Sequence, residues 1–357
     1  MKDSSVRSRL PFLILAVFSL LAGMLTGLQR LGWYIPLPEA YAHHGAIMTG
    51  GFLGSLIALE KVIPLKRKIL FTGPLLSSSS LIFFIAGNFQ IACIVLIAAS
   101  VFLMVMYLIY LWKYWDAIFV MMFLGAACWF TGNIILLFGK FYPAAFPWWM
   151  AFVLFTIVSE RLELSKFLPV TIWHKRLLFF FLAVFTAGLI IPFHSIGKFA
   201  AGAGLILISI WLMRFDVLSV NLKKTGLPLF SGIALLCGYV ALLADGFFLT
   251  TLSNRAFGYD TIVHTFFLGF TFAMIFAHGP IILPGVLGIK VKPFHAVLYI
   301  PLALLFVSLL VRVLSNALIL PLFFRMISGW ITTAAILLYF VMLFTLTLRE
   351  VRHAKIS

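Results

Sequence analysis

Charge is scarce in this chain of 357 residues. Asp, Glu, Lys and Arg make up 10% of it, and only ten residues are acidic. A water-soluble domain carries about a quarter charged residues, so this composition excludes one. Cysteine is scarce too: Cys93, Cys128 and Cys237 stand alone in apolar runs, with no CxxC pair. That argues against a disulfide framework or a thiolate metal site and leaves three small core residues. Low-complexity tracts and long linkers are also missing, and no polar stretch is long enough for a sizeable aqueous domain.

What the chain does have is apolar length. Aliphatic and aromatic residues make up 64% of it, and mean hydropathy is +1.16. Apolar runs of spanning length are divided by Gly, Pro and basic turns. They predict an all-α polytopic membrane protein with about twelve transmembrane helices, in a single transmembrane domain over 1–357. The spans fall at about 10–31, 42–60, 69–87, 90–112, 116–139, 147–165, 176–192, 198–215, 228–251, 260–284, 295–316 and 322–348. No small-residue cleavage site comes after the first run, so it reads as a retained helix.

Net charge is +16, and a basic excess in a membrane protein collects on cytoplasmic loops. With both termini cytoplasmic, only Arg30, Lys140, Lys198, Arg255, Arg312 and Arg325 of the 26 Lys and Arg fall on the outer side. This asymmetry supports an even span number. The partner implied is a lipid bilayer and not nucleic acid. The loop GKFYPAAFPWWM predicts an aromatic belt at the head of the sixth span.

The tenth span lies within YDTIVHTFFLGFTFAMIFAHGPIILPGVLG, Tyr259 to Gly288, with His264 near one end and His278 near the other. As continuous α-helix, it puts them roughly 21 Å apart and within about 40° of one face. An ionisable group inside a span is a functional-site candidate. The second span opens YAHHGAIMTGGFLGS, which places His43 and His44 at the depth of His264. One imidazole from each of two helices is what axial ligation of haem iron needs. Gly45, Gly50, Gly51 and Gly54 leave room for a flat macrocycle or for a close neighbouring helix. The other reading is a pair of interhelical hydrogen-bonding histidines.

Adjacent helical residues point about 100° apart, so only one of His43 and His44 can face the tenth span. His44 is favoured because it shares a face with Met48 and Gly51. His43 is then left for a propionate or the headgroups. Arg255 and Arg30 are the candidate propionate partners, since guanidinium matches carboxylate geometry. His44–Met48 and Met274–His278 are i,i+4 pairs whose donors suit haem or copper, although Met is also common filler. Pro280 cannot donate to the carbonyl near Phe276, which is freed for a ligand or water beside His278. A second cofactor, if there is one, takes His278 as its ligand.

The sixth span ends FTIVSERLELSKF. Glu160, Arg161, Glu163 and Lys166 either handle protons at an inner gate or anchor the helix end, with Arg and Lys snorkelling outward. Asp245, inside the ninth span, could pair with Arg255 or with a histidine. Asp260 reads as the N-cap of the tenth span. His295 opens the eleventh span and is placed near His278, whereas His174, His194 and His353 read as solvated.

His44-Gly45-x-x-Met48 with its glycine-rich continuation, SERLELS from Ser159, and HTFFLGFTFAMIFAHGPIILP from His264 resemble the NnrS-like bacterial membrane proteins. That family is similar to the core subunit of haem–copper oxidases. The resemblance implies a twelve-helix protein of the bacterial inner membrane, carrying haem b and copper. It would handle a small gas or redox ligand in the response to nitric oxide and nitrosative stress. It points to His44, or His43, and His264 as low-spin haem ligands. The sixth span offers Glu160 and Glu163 where an oxidase-like core has copper histidines, and the seventh offers no ligand, so a binuclear centre looks absent. Two other classes stay open: a transporter or permease, and a non-catalytic assembly factor for a respiratory complex.

Overall fold

The structure, a computed structural model, describes residues 4–356. His353 lies outside the residues whose side chains are described. Among the described residues, twelve helices are long and apolar enough to cross a membrane: α1 (Arg9–Arg30), α2 (Tyr41–Val62), α3 (Lys68–Ile85), α4 (Phe89–Lys113), α5 (Ala117–Gly139) and α6 (Tyr142–Leu164), then α7 (Ile172–Ile190), α8 (Phe193–Phe215), α9 (Leu227–Thr251), α10 (Gly258–Leu287), α11 (Ala296–Ala317) and α12 (Leu322–Arg352). No strand occurs among the described residues. These bounds track the predicted ones closely, with the clearest shifts at α6, which starts at Tyr142 and not near 147, and at α8, which starts at Phe193 and not 198. Pro143 lies in the first turn of α6, where the missing N–H has no helical partner to lose.

The helices group into two compact units. One holds the chain up to Ser159 together with Gly285–Ile289; the other holds Glu160–Pro284 and the chain from Lys290 onward. In the first unit, α3 and α4 form the antiparallel hairpin expected at Gly87-Asn88. Gly87 takes φ +73°, a left-handed conformation that ends a helix cheaply only for glycine, and Asn88 N–H bonds back to Phe83 O at 2.8 Å.

Lipid tails are as apolar as leucine, so the helices are held by close packing more than by exclusion of water. In the second unit, α8 and α9 nearly touch backbone to backbone. A Cβ on Gly202 would lie 2.6 Å from the Gly246 carbonyl oxygen, and one on Gly246 equally close to that of Gly202. The outward surfaces carry Ile82, Phe138, Phe180, Phe247 and Leu310, all exposed, as lipid-facing positions should be. Exposed Trp112, Trp115 and Trp173 at helix ends supply an aromatic girdle. The expected belt at the head of α6 is partly turned inward: Trp149 is buried and donates Nε1–H to Asn133 Oδ1 at 3.0 Å.

A five-residue π-helical segment, Phe193–Gly197, opens α8, and two spans carry longer ones. Ile47–Gly54 in α2 and Thr265–Phe272 in α10 are π-helical, eight residues each. Segments of this kind are rare and concentrate at functional sites. Each of the two longer ones begins within three residues of a histidine, after His44 and directly after His264.

Candidate functional site

His264 stands in the second turn of α10 in a built polar setting. Its Nδ1 lies 2.8 Å from Asp260 O and 3.2 Å from Asp260 Oδ1. A carbonyl only accepts, so Nδ1 carries the hydrogen and Nε2 is the lone-pair nitrogen of the neutral ring. Asp260 is fixed in turn. Arg312 on α11 donates to both its oxygens at 2.9 and 2.7 Å, and Asn316 Nδ2 donates to it at 2.7 Å and to Thr261 at 3.1 Å. Asp260 is therefore not the N-cap expected from sequence. That position is Phe257, with left-handed φ and no side-chain cap. A carboxylate and a carbonyl holding the far nitrogen of an imidazole is the arrangement that orients metal-ligating histidines.

A cavity of about 190 Å³ opens beside this network, lined by Arg255, Thr261, Asn316 and Ile319 among others. It is smaller than the roughly 300 Å³ from which small-molecule sites usually start, and it suits a carboxylate-sized group.

At the other end of α10, His278 Nδ1 lies 2.7 Å from Met274 O, so its Nε2 is likewise the lone-pair nitrogen of the neutral ring. The π segment lies between the two histidines. Reckoning both onto one face assumes 3.6 residues per turn throughout, and each residue inserted by π geometry rotates the remainder of the helix by about 100°. The shared face expected from sequence therefore does not hold.

The carbonyl expected to be freed by Pro280 is Phe276 O, and it is taken: Tyr339 donates its hydroxyl to it at 2.9 Å, with the two rings stacked at 3.7 Å. Ser231 donates to the next carbonyl, Ala277 O, at 2.7 Å. Removing only the hydroxyl, Tyr339→Phe, strands a buried acceptor and lowers stability by about 1–3 kcal/mol. A fall in the melting temperature of the detergent-solubilised protein checks this, and an unchanged melt would show the bond is not held.

In the first unit, His44 and Met48 share a face as predicted, and that face packs on α1. His44 Nδ1 bonds Gly23 O at 2.7 Å. A Cβ on Gly27 would meet the His44 ring at 2.8 Å, Met48 Sδ fills the hollow at Gly23, and Gly51 lies against Ser19. The face assigned to the tenth span is thus the one that grips α1. His43 turns elsewhere. It shares a hydrogen bond with the Tyr142 hydroxyl at 2.8 Å and stacks on Phe89 at 5.1 Å, with Phe84 at 5.0 Å. Arg30 is exposed and reaches Ala42 O at 3.5 Å, at the head of α2. The glycines of α2 serve helix packing: Leu96 occupies the hollow at Gly50, Trp129 that at Gly54, and Tyr142 and Trp149 flank Gly45. Met274 fills the hollow of Gly238 in the same manner. For haem, then, the donor chemistry fits at His264, and the glycine face offers no cradle.

The end of α6 resolves the two readings of its charges differently for each residue. Glu163 and Lys166 are exposed and Glu160 is half-buried. Arg161 does not snorkel outward. It is buried, with Nη1 3.7 Å from Asp216 Oδ2, and Tyr239 donates its hydroxyl to the same oxygen at 2.5 Å. Asp216 and Tyr239 escaped the sequence reading. The signal available was an acid in the short α8–α9 connection of a chain with only ten acids.

Asp245 pairs with neither Arg255 nor a histidine: it is fully buried, and both its oxygens lack a hydrogen-bond partner among the described residues. His295 accepts Val297 N–H at its Nδ1 and caps the start of α11. His174, expected to be solvated, is half-buried against Phe215 at 4.2 Å and bonded to Thr171 at 2.9 Å. His194 is exposed. Among the described residues, no group of three or more His, Cys, Asp or Glu comes together to hold a metal ion.

A family model described as Domain of unknown function (DUF8744) matches residues 9–348. No curated protein and no solved structure matches the chain.

Proposed function

We propose that this chain, which belongs to the DUF8744 family, is a haem-binding protein of the bacterial inner membrane with a redox or nitric-oxide-related role. One observation carries the reading: the His264 imidazole is locked through Nδ1 by Asp260, and Asp260 is itself clamped by Arg312 and Asn316. Metal-ligating histidines carry such a second layer of polar partners, which leaves the other ring nitrogen for the metal. The sequence likeness to the NnrS-like proteins names haem as the group.

His264 would hold the iron through Nε2, and Arg255, on the adjoining cavity, would take a propionate. Haem held by imidazole supplies one-electron exchange or a site for a diatomic gas. Asp260 keeps the ring in one tautomer and makes it a stronger donor, while Arg312 keeps Asp260 ionised in an apolar setting.

Full-length protein purified from haem-replete cells should show a Soret band and a sharp reduced α-band, and His264→Ala should lose most of both. His44→Ala and His43→Ala, run beside it, report whether either supplies a second ligand. Colourless wild-type protein, or a wild-type spectrum in His264→Ala, would overturn the reading. Uptake of a solute by proteoliposomes lacking any chromophore would favour a transporter instead.

A further inference from the structure

One acid in the membrane-spanning region has no use in the haem reading. Asp245 lies in α9, six residues before its end, or about 9 Å of helical rise. It is 0% exposed, and neither carboxylate oxygen has a hydrogen-bond partner among the described residues. A second buried oxygen nearby is in the same condition, the hydroxyl of Thr265, the first residue of the π segment in α10.

The packing of α9 on α10 brings the two to one level. Gly238 lies against Ala273 and Met274, and Gly269 lies against Ala241, which fixes an antiparallel register. About one turn further along, this register brings Asp245 to the level of Thr265. On the other flank, Gly246 meets the backbone of Gly202 and the side chain of Ile206 on α8, which brings no charge to the site.

Most charged and titratable groups on the elements packed around it are otherwise engaged, and Arg255, which lines the cavity beside Thr261, bonds neither Asp245 oxygen. Lys198 on α8 donates to Asn254 at 2.9 Å. His264 and Asp260 on α10 hold each other, and Arg312 is spent on Asp260. Tyr239, nearly two turns back on α9, donates to Asp216. Lys223 and Lys224 belong to the connection that precedes α9, at its far end. An ionised carboxylate alone in an apolar interior costs many kcal/mol, and a neutral one without a partner still costs a few. A group so placed lowers stability unless it binds something.

We infer that Asp245, with Thr265 at its level, is a reversible binding site for a small monovalent cation within the membrane, taking a proton or Na⁺ at the carboxylate. The hydroxyl is the second oxygen, able to accept from the protonated acid or to ligate Na⁺. This gives the second unit an ion-binding carboxylate that the haem reading does not use.

Treating the full-length protein in detergent with a hydrophobic carbodiimide tests it. The acid adds across the carbodiimide, its proton passing to nitrogen and its oxygen to carbon, so the adduct forms only on the protonated carboxyl. Peptide mass spectrometry should find the adduct on Asp245 and none at that peptide in Asp245→Asn. Labelling that falls as pH rises, unaffected by Na⁺, identifies the proton as the ion. Labelling suppressed by Na⁺ at fixed pH identifies Na⁺. In Na⁺-free buffer Asp245→Asn should melt no lower than wild type, because neither carboxylate oxygen has a hydrogen-bond partner among the described residues. An Asp245 that is unlabelled at every pH, with and without Na⁺, overturns the inference, since a working cation site must be reachable. A marked loss of thermal stability in Asp245→Asn in that Na⁺-free buffer overturns it as well, by showing the acid to be structural.

Discussion

An Arg161→Ala variant loses about 3–5 kcal/mol of stability, the usual cost of removing one member of a buried ion pair. Arg161 and Asp216 are 3% and 1% exposed, so water screens neither. Without the guanidinium, Asp216 keeps only the Tyr239 hydroxyl against its charge among the described residues. Glu163, three positions away in sequence from Glu160, is exposed, and Glu163→Ala should stay within about 0.5 kcal/mol of wild type. Thermal unfolding of the two variants side by side decides the matter. Equal melting would mean that Arg161 does not hold Asp216. The double variant Arg161→Met with Asp216→Asn should recover much of the loss, because it strands no charge.

Asp260→Ala is expected to act twice. It removes both acceptors of Arg312, which is 8% exposed, and costs about 2–3 kcal/mol, less than a fully buried pair because Asp260 is 29% exposed. It also releases the His264 ring, and loss of such a partner typically weakens metal binding by 10–100-fold. Arg312→Lys separates the two effects: it keeps a positive charge near Asp260 and loses the two-pronged geometry. Stability should fall in both variants, and haem content should fall more in Asp260→Ala. Haem retained at the wild-type level by a folded Asp260→Ala protein would mean that Asp260 does not orient His264.

The number and limits of the helices were legible because the length needed to cross a bilayer, and the Gly and Pro breaks between runs, are local properties of sequence. Side-chain direction was not. His44, Met48 and Gly51 do share a face, but apolar residues on every side of α2 give no clue to which neighbour that face meets, and it meets α1. The same-face reckoning for His264 and His278 failed because nothing local in TFFLGFTF announces π geometry. The partner of Asp260 was hidden by distance along the chain: Arg312 is 52 residues away. Arg161 was misjudged for the same reason, since the acid that draws it inward lies on another element.

The contact between Tyr339 and the Phe276 carbonyl also fixes an order in which the sequence can drift. The hydroxyl matters only because position 280 is proline. A residue with an amide hydrogen there could supply the missing donor from within α10 and leave the hydroxyl idle. A change at 280 is thus permissive for a change at 339, whereas the reverse order passes through a weakened intermediate. Two positions that look unrelated in the sequence are coupled in history by one oxygen atom.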